Sequence, residues 1–235
     1  MKLKMICDGL DFPEGPIAMA DGSIILVEIR RQTLSRVHPD GKIDVIANLS
    51  GGPNGAAVGP DGMIYVCNNG GFIWTPSDGI TRPIGTPDDY VSGCIQRVDP
   101  NTGEFETVYD SCDGQPLRGP NDIVFDAHGA FYFTDLGKSN TDYVHHGAFY
   151  YATIDGSMIK RVHAPMITPN GIGLSPDGRS VHVAETRTGR VWSFDLISPG
   201  EVTSLPFDMP GNLLTTLPDY QLLDSLAVQK NGDIC

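Results

Sequence analysis

Short runs of β-branched, aromatic and aliphatic residues recur along the chain, each preceded by a turn-forming dipeptide. The runs are Ile24 to Val27, Met63 to Val66, Phe131 to Phe133 and Val181 to Val183. The dipeptides before them are Asp21-Gly22, Asp61-Gly62, His128-Gly129 and Asp177-Gly178, with a fifth at Asn231-Gly232. Such dipeptides tolerate positive φ and connect hairpin strands, and the runs are typical of buried strands. The pattern therefore predicts an all-β fold.

A second pattern precedes these turns at a constant distance. Four segments place a Pro before an oxygen-bearing side chain and a Gly eight residues after that side chain. They are Pro13-Glu14 with Gly22, Pro53-Asn54 with Gly62, Pro120-Asn121 with Gly129, and Pro169-Asn170 with Gly178. A fifth segment, Leu223-Asp224, lacks the Pro but keeps the spacing to Gly232. Self-similarity of this kind indicates a repeat fold.

The distances between the five oxygen-bearing residues are 40, 67, 49 and 54 residues. Each unit therefore has room for a four-stranded antiparallel blade, and blades of about 40–50 residues around a central channel form a β-propeller. We expect a single propeller domain over residues 1–235, with blades starting near residues 12, 52, 119, 168 and 222. The long second unit predicts an insertion at about 68–93. A β-sandwich with long loops is the alternative.

The fifth unit reaches only its second predicted strand, at Gly232-Asp233-Ile234-Cys235. An open ring of blades would expose long unpaired strand edges. We therefore expect a six-bladed propeller whose last blade, or blades, are truncated in this sequence.

The five repeated oxygen-bearing residues hold equivalent positions, so their side chains are predicted to converge at one mouth of the channel. They are Glu14, Asn54, Asn121, Asn170 and Asp224. Two carboxylates with two or three amide oxygens make an all-oxygen set, which hard divalent cations such as Ca²⁺, Mg²⁺ or Mn²⁺ prefer. The simpler alternative is that each side chain only caps a turn. Turn capping does not require an acid in both the first and the fifth unit.

Composition and charge limit the classes of binding partner and the cellular compartment that we expect. The chain carries 16 Lys and Arg against 29 Asp and Glu, a net charge of −13. A chain this acidic is repelled by phosphate backbones, so nucleic acid is not expected as a partner. No apolar run approaches the roughly 20 residues that span a bilayer, so no membrane is expected either. The five cysteines show no C-x-x-C pair, which favours reduced thiols in a cytoplasmic protein.

Several motifs together carry a family resemblance over nearly the whole chain. They are Phe12-Pro13-Glu14-Gly15-Pro16, Pro120-Asn121-Asp122, the stretch from Pro169-Asn170-Gly171 to Ser175-Pro176-Asp177-Gly178, and Asp224-Ser225. The chain resembles the senescence marker protein / gluconolactonase / luciferin-regenerating enzyme-like family. The resemblance implies a six-bladed propeller that hydrolyses sugar lactones and related cyclic esters with one divalent metal ion. The sequence leaves that ion open between Ca²⁺, Zn²⁺, Mg²⁺ and Mn²⁺.

The resemblance also implies roles for individual residues. Glu14, Asn170 and Asp224 resemble the family's metal ligands. Asn121 resembles a residue that contacts substrate or water beside the metal and is in some members described as a ligand. The family often has an Arg two residues before that Asn, where this chain has Gly119, with Arg118 one residue further away. Asn121, Arg118 and Asn54 are the predicted substrate-binding residues.

The expected reaction is the opening of a lactone ring by water, with the metal polarising the carbonyl and Asp224 accepting the water proton. The expected partner is therefore a small-molecule lactone, and the sequence leaves the oligomeric state open. Two alternatives remain. One is a calcium-dependent hydrolase of arylesters or hydrophobic lactones from a related propeller family. The other is a non-catalytic propeller scaffold, since propellers host many functions.

The predicted insertion is flanked by three aromatic residues, Phe72, Trp74 and Tyr90. One hypothesis is that they form an apolar lid over the channel mouth. The sequence has no Gly-x-Ser-x-Gly elbow and no His-Glu-x-x-His motif. A serine nucleophile and zinc-protease chemistry are therefore not expected.

Overall fold

The computed structural model describes residues 4–77, 80–206 and 209–235, and within these ranges the regular structure is β-strand with no α-helix. The strands are β1 (Pro13–Ala18), β2 (Ile24–Glu28), β3 (Thr33–Val37), β4 (Ile43–Asn48), β5 (Pro53–Val58), β6 (Ile64–Asn68), β7 (Ile73–Ser77), β8 (Ile80–Gly85), β9 (Cys94–Val98), β10 (Phe105–Tyr109), β11 (Ser111–Cys112), β12 (Gln115–Pro116), β13 (Pro120–Phe125), β14 (Phe131–Asp135), β15 (Gly147–Ala152), β16 (Ile159–Met166), β17 (Pro169–Leu174), β18 (Ser180–Glu185), β19 (Arg190–Ser198), β20 (Glu201–Val202) and β21 (Asn212–Thr216). The predicted all-β class is confirmed. In the part of the chain that is described, no helix is long and apolar enough to cross a membrane.

Most of these strands form four antiparallel sheets in which each strand pairs with the next. The first sheet has the order β1-β2-β3-β4, the second β5-β6-β9-β10 and the third β13-β14-β15-β16. In the fourth sheet β17, β18 and β19 follow in order, and β19 pairs with both β20 and β21. After it, the bridge between Val228 and Ile234 begins a fifth antiparallel unit. Successive antiparallel sheets of this kind are the building blocks of a propeller.

The first hairpin of each sheet turns where the dipeptide pattern predicts. Gly22 and Gly62 have φ of 80° and 79°. Backbone in this left-handed region suits glycine, which has no Cβ to collide with the preceding carbonyl. Each turn leads directly into a second strand, β2 or β6, that is buried along most or all of its length.

The core lies between neighbouring sheets. Alternate residues of each second strand point to opposite faces, so Ile64 and Val66 pack toward the first sheet while Tyr65 and Cys67 pack toward the third. Phe131 and Phe133 face the second sheet in the same way, and Tyr132 faces the fourth. Burial on both faces explains why these strands are continuous apolar runs rather than alternating ones.

The segment predicted as an insertion, about 68–93, contains the two-stranded hairpin β7-β8. It lies in the chain between β6 and β9, which pair directly with each other. The hairpin is therefore an addition at one end of the second sheet, and the sheet itself stays regular.

Candidate functional site

Each of the first four oxygen-bearing residues is the second residue of the first strand of its sheet. Glu14, Asn54, Asn121 and Asn170 follow the opening prolines of β1, β5, β13 and β17. These first strands contact one another in sequence order, β1 with β5, β5 with β13, and β13 with β17. The four side chains therefore start from the same end of adjacent strands.

Backbone contacts between neighbouring units are close enough to exclude a side chain. A Cβ on Gly15 would lie 2.7 Å from the backbone nitrogen of Ala56, and one on Gly55 would overlap the carbonyl oxygen of Asn121. The N–H of Gly171 donates to the carbonyl oxygen of Asp224 at 3.3 Å, which joins the fourth unit to the fifth. Glycine after the oxygen-bearing residue thus lets adjacent units meet backbone to backbone.

Asp122 takes the place of that glycine in the third unit, and it is not among the site residues predicted from the sequence. Its carboxylate accepts hydrogen bonds from the backbone N–H of Ile123 at 2.9 Å and of Ile172 at 3.4 Å. Burial raises the pKa of Asp122 to about 7, and the charges of Glu14 and Asp224 contribute to the rise. The signal available in the sequence was that an acid replaces the glycine found in the first, second and fourth units.

Glu14 shares this electrostatic environment. Burial raises the pKa of its carboxyl, and the negative charge of Asp224 raises it further, while the N–H of Gly15 acts in the opposite direction. The charge of Asp224 thus disfavours ionisation of both Glu14 and Asp122, and the charge of Glu14 does the same to Asp122. A bound cation would relieve the repulsion.

Asn170 supplies a buried oxygen without a partner. Its side chain is 6% exposed. Its amide nitrogen donates to Thr186 Oγ1 at 3.2 Å, whereas its Oδ1 has no hydrogen-bond partner among the residues that the structure describes. A buried polar atom left unpaired costs free energy and calls for a ligand or a water molecule.

Asn121 is buried to the same extent as Asn170. With Glu14, Asn170 and Asp224 it makes up the predicted ligand set of two carboxylates and two amide oxygens. Within residues 4–77, 80–206 and 209–235, no group of three or more His, Cys, Asp or Glu side chains is arranged to hold a metal ion. Any cation held here therefore depends on the amide oxygens as well as on the acids, a donor chemistry that suits a hard divalent ion.

The two other predicted substrate-binding residues, Asn54 and Arg118, are less buried than Asn121. Asn54 is half-buried on β5. Arg118 is exposed and lines a separate cleft of about 550 Å³ together with His146 and Arg161. The backbone of Arg118 is fixed, since its N–H donates to Asp135 at 2.7 Å. Nothing in these contacts directs its guanidinium toward Asn121.

Comparisons with known proteins find similar sequences over most of this chain. The family model described as SMP-30/Gluconolactonase/LRE-like region matches residues 12–235. A gluconolactonase of Zymomonas mobilis is 27% identical over 225 residues, covering 86% of this chain and 57% of that protein. A lactonase drp35 of Staphylococcus haemolyticus is 30% identical, covering 93% of this chain and 59% of that protein. The chain thus spans less than two thirds of these relatives.

Solved structures give the same fold. A gluconolactonase of Xanthomonas campestris superposes with a TM-score of 0.73 at 22% identity, covering 97% of this chain and 70% of that one. A calcium-binding protein, regucalcin, of Agrobacterium tumefaciens has a TM-score of 0.68 at 18% identity, covering 96% of this chain and 66% of that one.

Proposed function

This chain belongs to the SMP-30/gluconolactonase/LRE-like family, and we propose that it hydrolyses the ring of a small-molecule lactone, with a sugar lactone as the first choice of substrate. Glu14, Asn121, Asn170 and Asp224 would hold one divalent cation. The observation that carries the proposal is the buried Oδ1 of Asn170, which has no partner among the described residues, in a site whose acids raise one another's pKa. That combination is unfavourable without a cation and favourable with one.

The whole fold is proposed as one six-bladed propeller domain. The four sheets and the start of a fifth unit supply most of such a ring.

The residues fit a divalent cation by donor chemistry. Carboxylate and amide oxygens are the ligands of Ca²⁺, Mg²⁺ and Mn²⁺, and two carboxylates match the charge of one such ion. A cation bound there supplies electrostatic stabilisation to an ester oxyanion and makes water more acidic.

The chain's own residues account for proton transfer. Asp224 is exposed at the edge of the site, so water reaches it, and we assign it the role of proton acceptor. The water oxygen attacks the lactone carbonyl carbon, and the bond from that carbon to the ring oxygen breaks. Asp224 returns the proton to the ring oxygen, so that one lactone and one water give one hydroxy acid. Glu14 serves as an anchoring ligand, and Asp122 fixes the backbone of Ile172 beside Asn170.

A second candidate substrate class is a hydrophobic lactone or arylester. The aromatic rings of Phe12 and Trp74 favour this class, because they form an apolar surface beside the strand that carries Glu14. Their centroids lie 4.9 Å apart. The non-catalytic scaffold is the remaining alternative.

The proposal is tested by removing metal with a chelator, restoring Ca²⁺, Zn²⁺, Mg²⁺ and Mn²⁺ one at a time, and following acid release from a panel of sugar and alkyl lactones. We expect acid release with at least one ion and its loss in Asp224→Ala. Asp8→Ala, which alters another exposed Asp, is the matched control and should keep full activity. No acid from any lactone with any ion would support the scaffold.

A further inference from the structure

Lys138 is a buried cation that the proposed reaction does not use. It is 4% exposed. Its Nζ donates to the carbonyl oxygen of Gly71 at 2.8 Å and to Asn69 Oδ1 at 3.4 Å. The same atom lies 4.6 Å from the ring centroid of Phe72 and 4.9 Å from that of Tyr90. Two carbonyl oxygens and two aromatic faces therefore replace the water that this ammonium group gives up.

The partners of Lys138 lie at both ends of the segment that carries the β7-β8 hairpin. Phe72 comes immediately before β7, and Tyr90 follows β8 by five residues. The hydroxyl of Tyr90 also donates to the carbonyl oxygen of Arg118 at 2.6 Å. Lys138 itself belongs to the loop after β14, in the third sheet. It thus ties the base of the hairpin to a neighbouring sheet.

The hairpin in turn places an aromatic ring beside the proposed metal site. Trp74, on β7, contacts Phe12 with ring centroids 4.9 Å apart, and Phe72 with centroids 5.9 Å apart. Phe12 precedes Glu14 by two residues. Its φ is 60°, a conformation that is costly for a bulky residue and persists only where the surroundings enforce it.

The loop before the β7-β8 hairpin also lies against the start of β5, the first strand of the second sheet. A Cβ on Gly52 would lie 2.9 Å from the Cα of Gly71, and Gly52 precedes Asn54 by two residues. The three rings of Phe12, Trp74 and Phe72, here called the aromatic wall, therefore border the starts of both β1 and β5.

We propose that Lys138 is a positioning residue that holds the aromatic wall in place, and that the wall binds the apolar face or alkyl substituent of the lactone. The substrate role of the wall rests on the proposed function, whereas the positioning role of Lys138 does not. Burial lowers the pKa of Lys138 to about 8, while the charge of Asp135 opposes the shift. The group is therefore still a cation at neutral pH and engages both rings.

Acrylamide quenching of tryptophan fluorescence tests the positioning role without any substrate. The chain has two tryptophans, and Trp192 is 6% exposed, so added quencher reports mainly on Trp74. A Trp74→Phe variant supplies the contribution of Trp192. We expect the quenching constant of Lys138→Met to rise about twofold as the hairpin loosens.

Two further variants complete this test. Tyr90→Leu removes one ring from Lys138, keeps its two carbonyl partners and leaves the three rings of the wall intact, so a rise in the same direction is expected even if Lys138→Met folds poorly. Lys160→Met is the matched control, because Lys160 is exposed and pairs with Glu201 at 2.9 Å, away from the wall. Unchanged quenching in both Lys138→Met and Tyr90→Leu would overturn the positioning role.

Selectivity tests the substrate role. We expect Trp74→Ala to lower the kcat/KM for an alkyl-substituted lactone, relative to the unsubstituted ring, by about tenfold. Lys138→Met should shift the ratio in the same direction. An unchanged ratio in active Trp74→Ala would overturn this role of the wall. If the wild-type protein turns over no lactone, the proposed function and the wall's substrate role both fail, and quenching alone still decides the role of Lys138.

Discussion

The backbone N–H of Gly171 donates to the carbonyl oxygen of Asp224 at 3.3 Å, although the two residues are 53 positions apart in the sequence. This contact sets the fifth unit against the fourth and brings Asp224 next to the strand that carries Asn170. The geometry leaves no room for a side chain, since a Cβ on Gly171 would lie 2.7 Å from the same oxygen.

Gly171→Ala should therefore destabilise the protein by about 1–3 kcal/mol, the usual cost of overpacking, and weaken metal binding by displacing Asp224. Urea unfolding measures the first effect and metal titration the second. Gly85→Ala is the control, because the nearest atom to a Cβ there is 3.9 Å away. Equal stabilities for the two variants would contradict the close contact between the units.

Asp122 predicts a pH dependence in the metal-free protein. Its folded pKa, about 7, lies above the ordinary value of 3.8, so the folded state binds its proton more tightly than the unfolded state. The stabilisation from this group is complete below about pH 4 and is lost as the pH rises through about 7.

Asp122→Asn removes this titration while keeping a side-chain oxygen that accepts from Ile172. After chelation, the melting temperature of the variant relative to wild type should therefore rise between about pH 5 and about pH 8. A difference that stays constant over this range would show that Asp122 ionises normally.

Substitutions of Glu14 and of Asp224 are predicted to impair the activity in different ways. Asp224→Asn at saturating metal should lower kcat by about 100- to 10 000-fold, the usual contribution of a general base. Glu14→Gln should mainly raise the metal concentration needed for half-maximal activity, because Glu14 serves as a ligand. Steady-state kinetics over a range of metal concentrations separates the two, and an identical response in both variants would argue against distinct roles.

The reactivity of the cysteine thiols tests the packing between the sheets. Burial raises the pKa of Cys67 well above that of a free thiol, and Cys67 is fully enclosed between the second and third sheets. Cys235 is exposed. Alkylation followed by peptide mass spectrometry should modify Cys235 in the native protein and Cys67 only after unfolding. Rapid native labelling of Cys67 would contradict the packing described here.

The sequence predicted the parts of the site that repeat. Glu14, Asn121 and Asn170 each follow a proline and precede a turn at one fixed distance, so equivalent positions could be aligned without coordinates. Asp122 escaped detection because its importance depends on the glycine that other units have in its place and on a neighbouring strand. Lys138 also escaped, since its partners come from a segment about 50–70 residues earlier in the chain.

Isothermal titration calorimetry of the chelator-treated protein with Ca²⁺ and Mn²⁺ tests the central claim most directly. The account predicts one site per chain in the wild-type protein and in Asp8→Asn, and no detectable site in the double variant Glu14→Gln/Asp224→Asn. A double variant that binds the ion with unchanged affinity and stoichiometry would contradict the claim that these two acids hold a cation together.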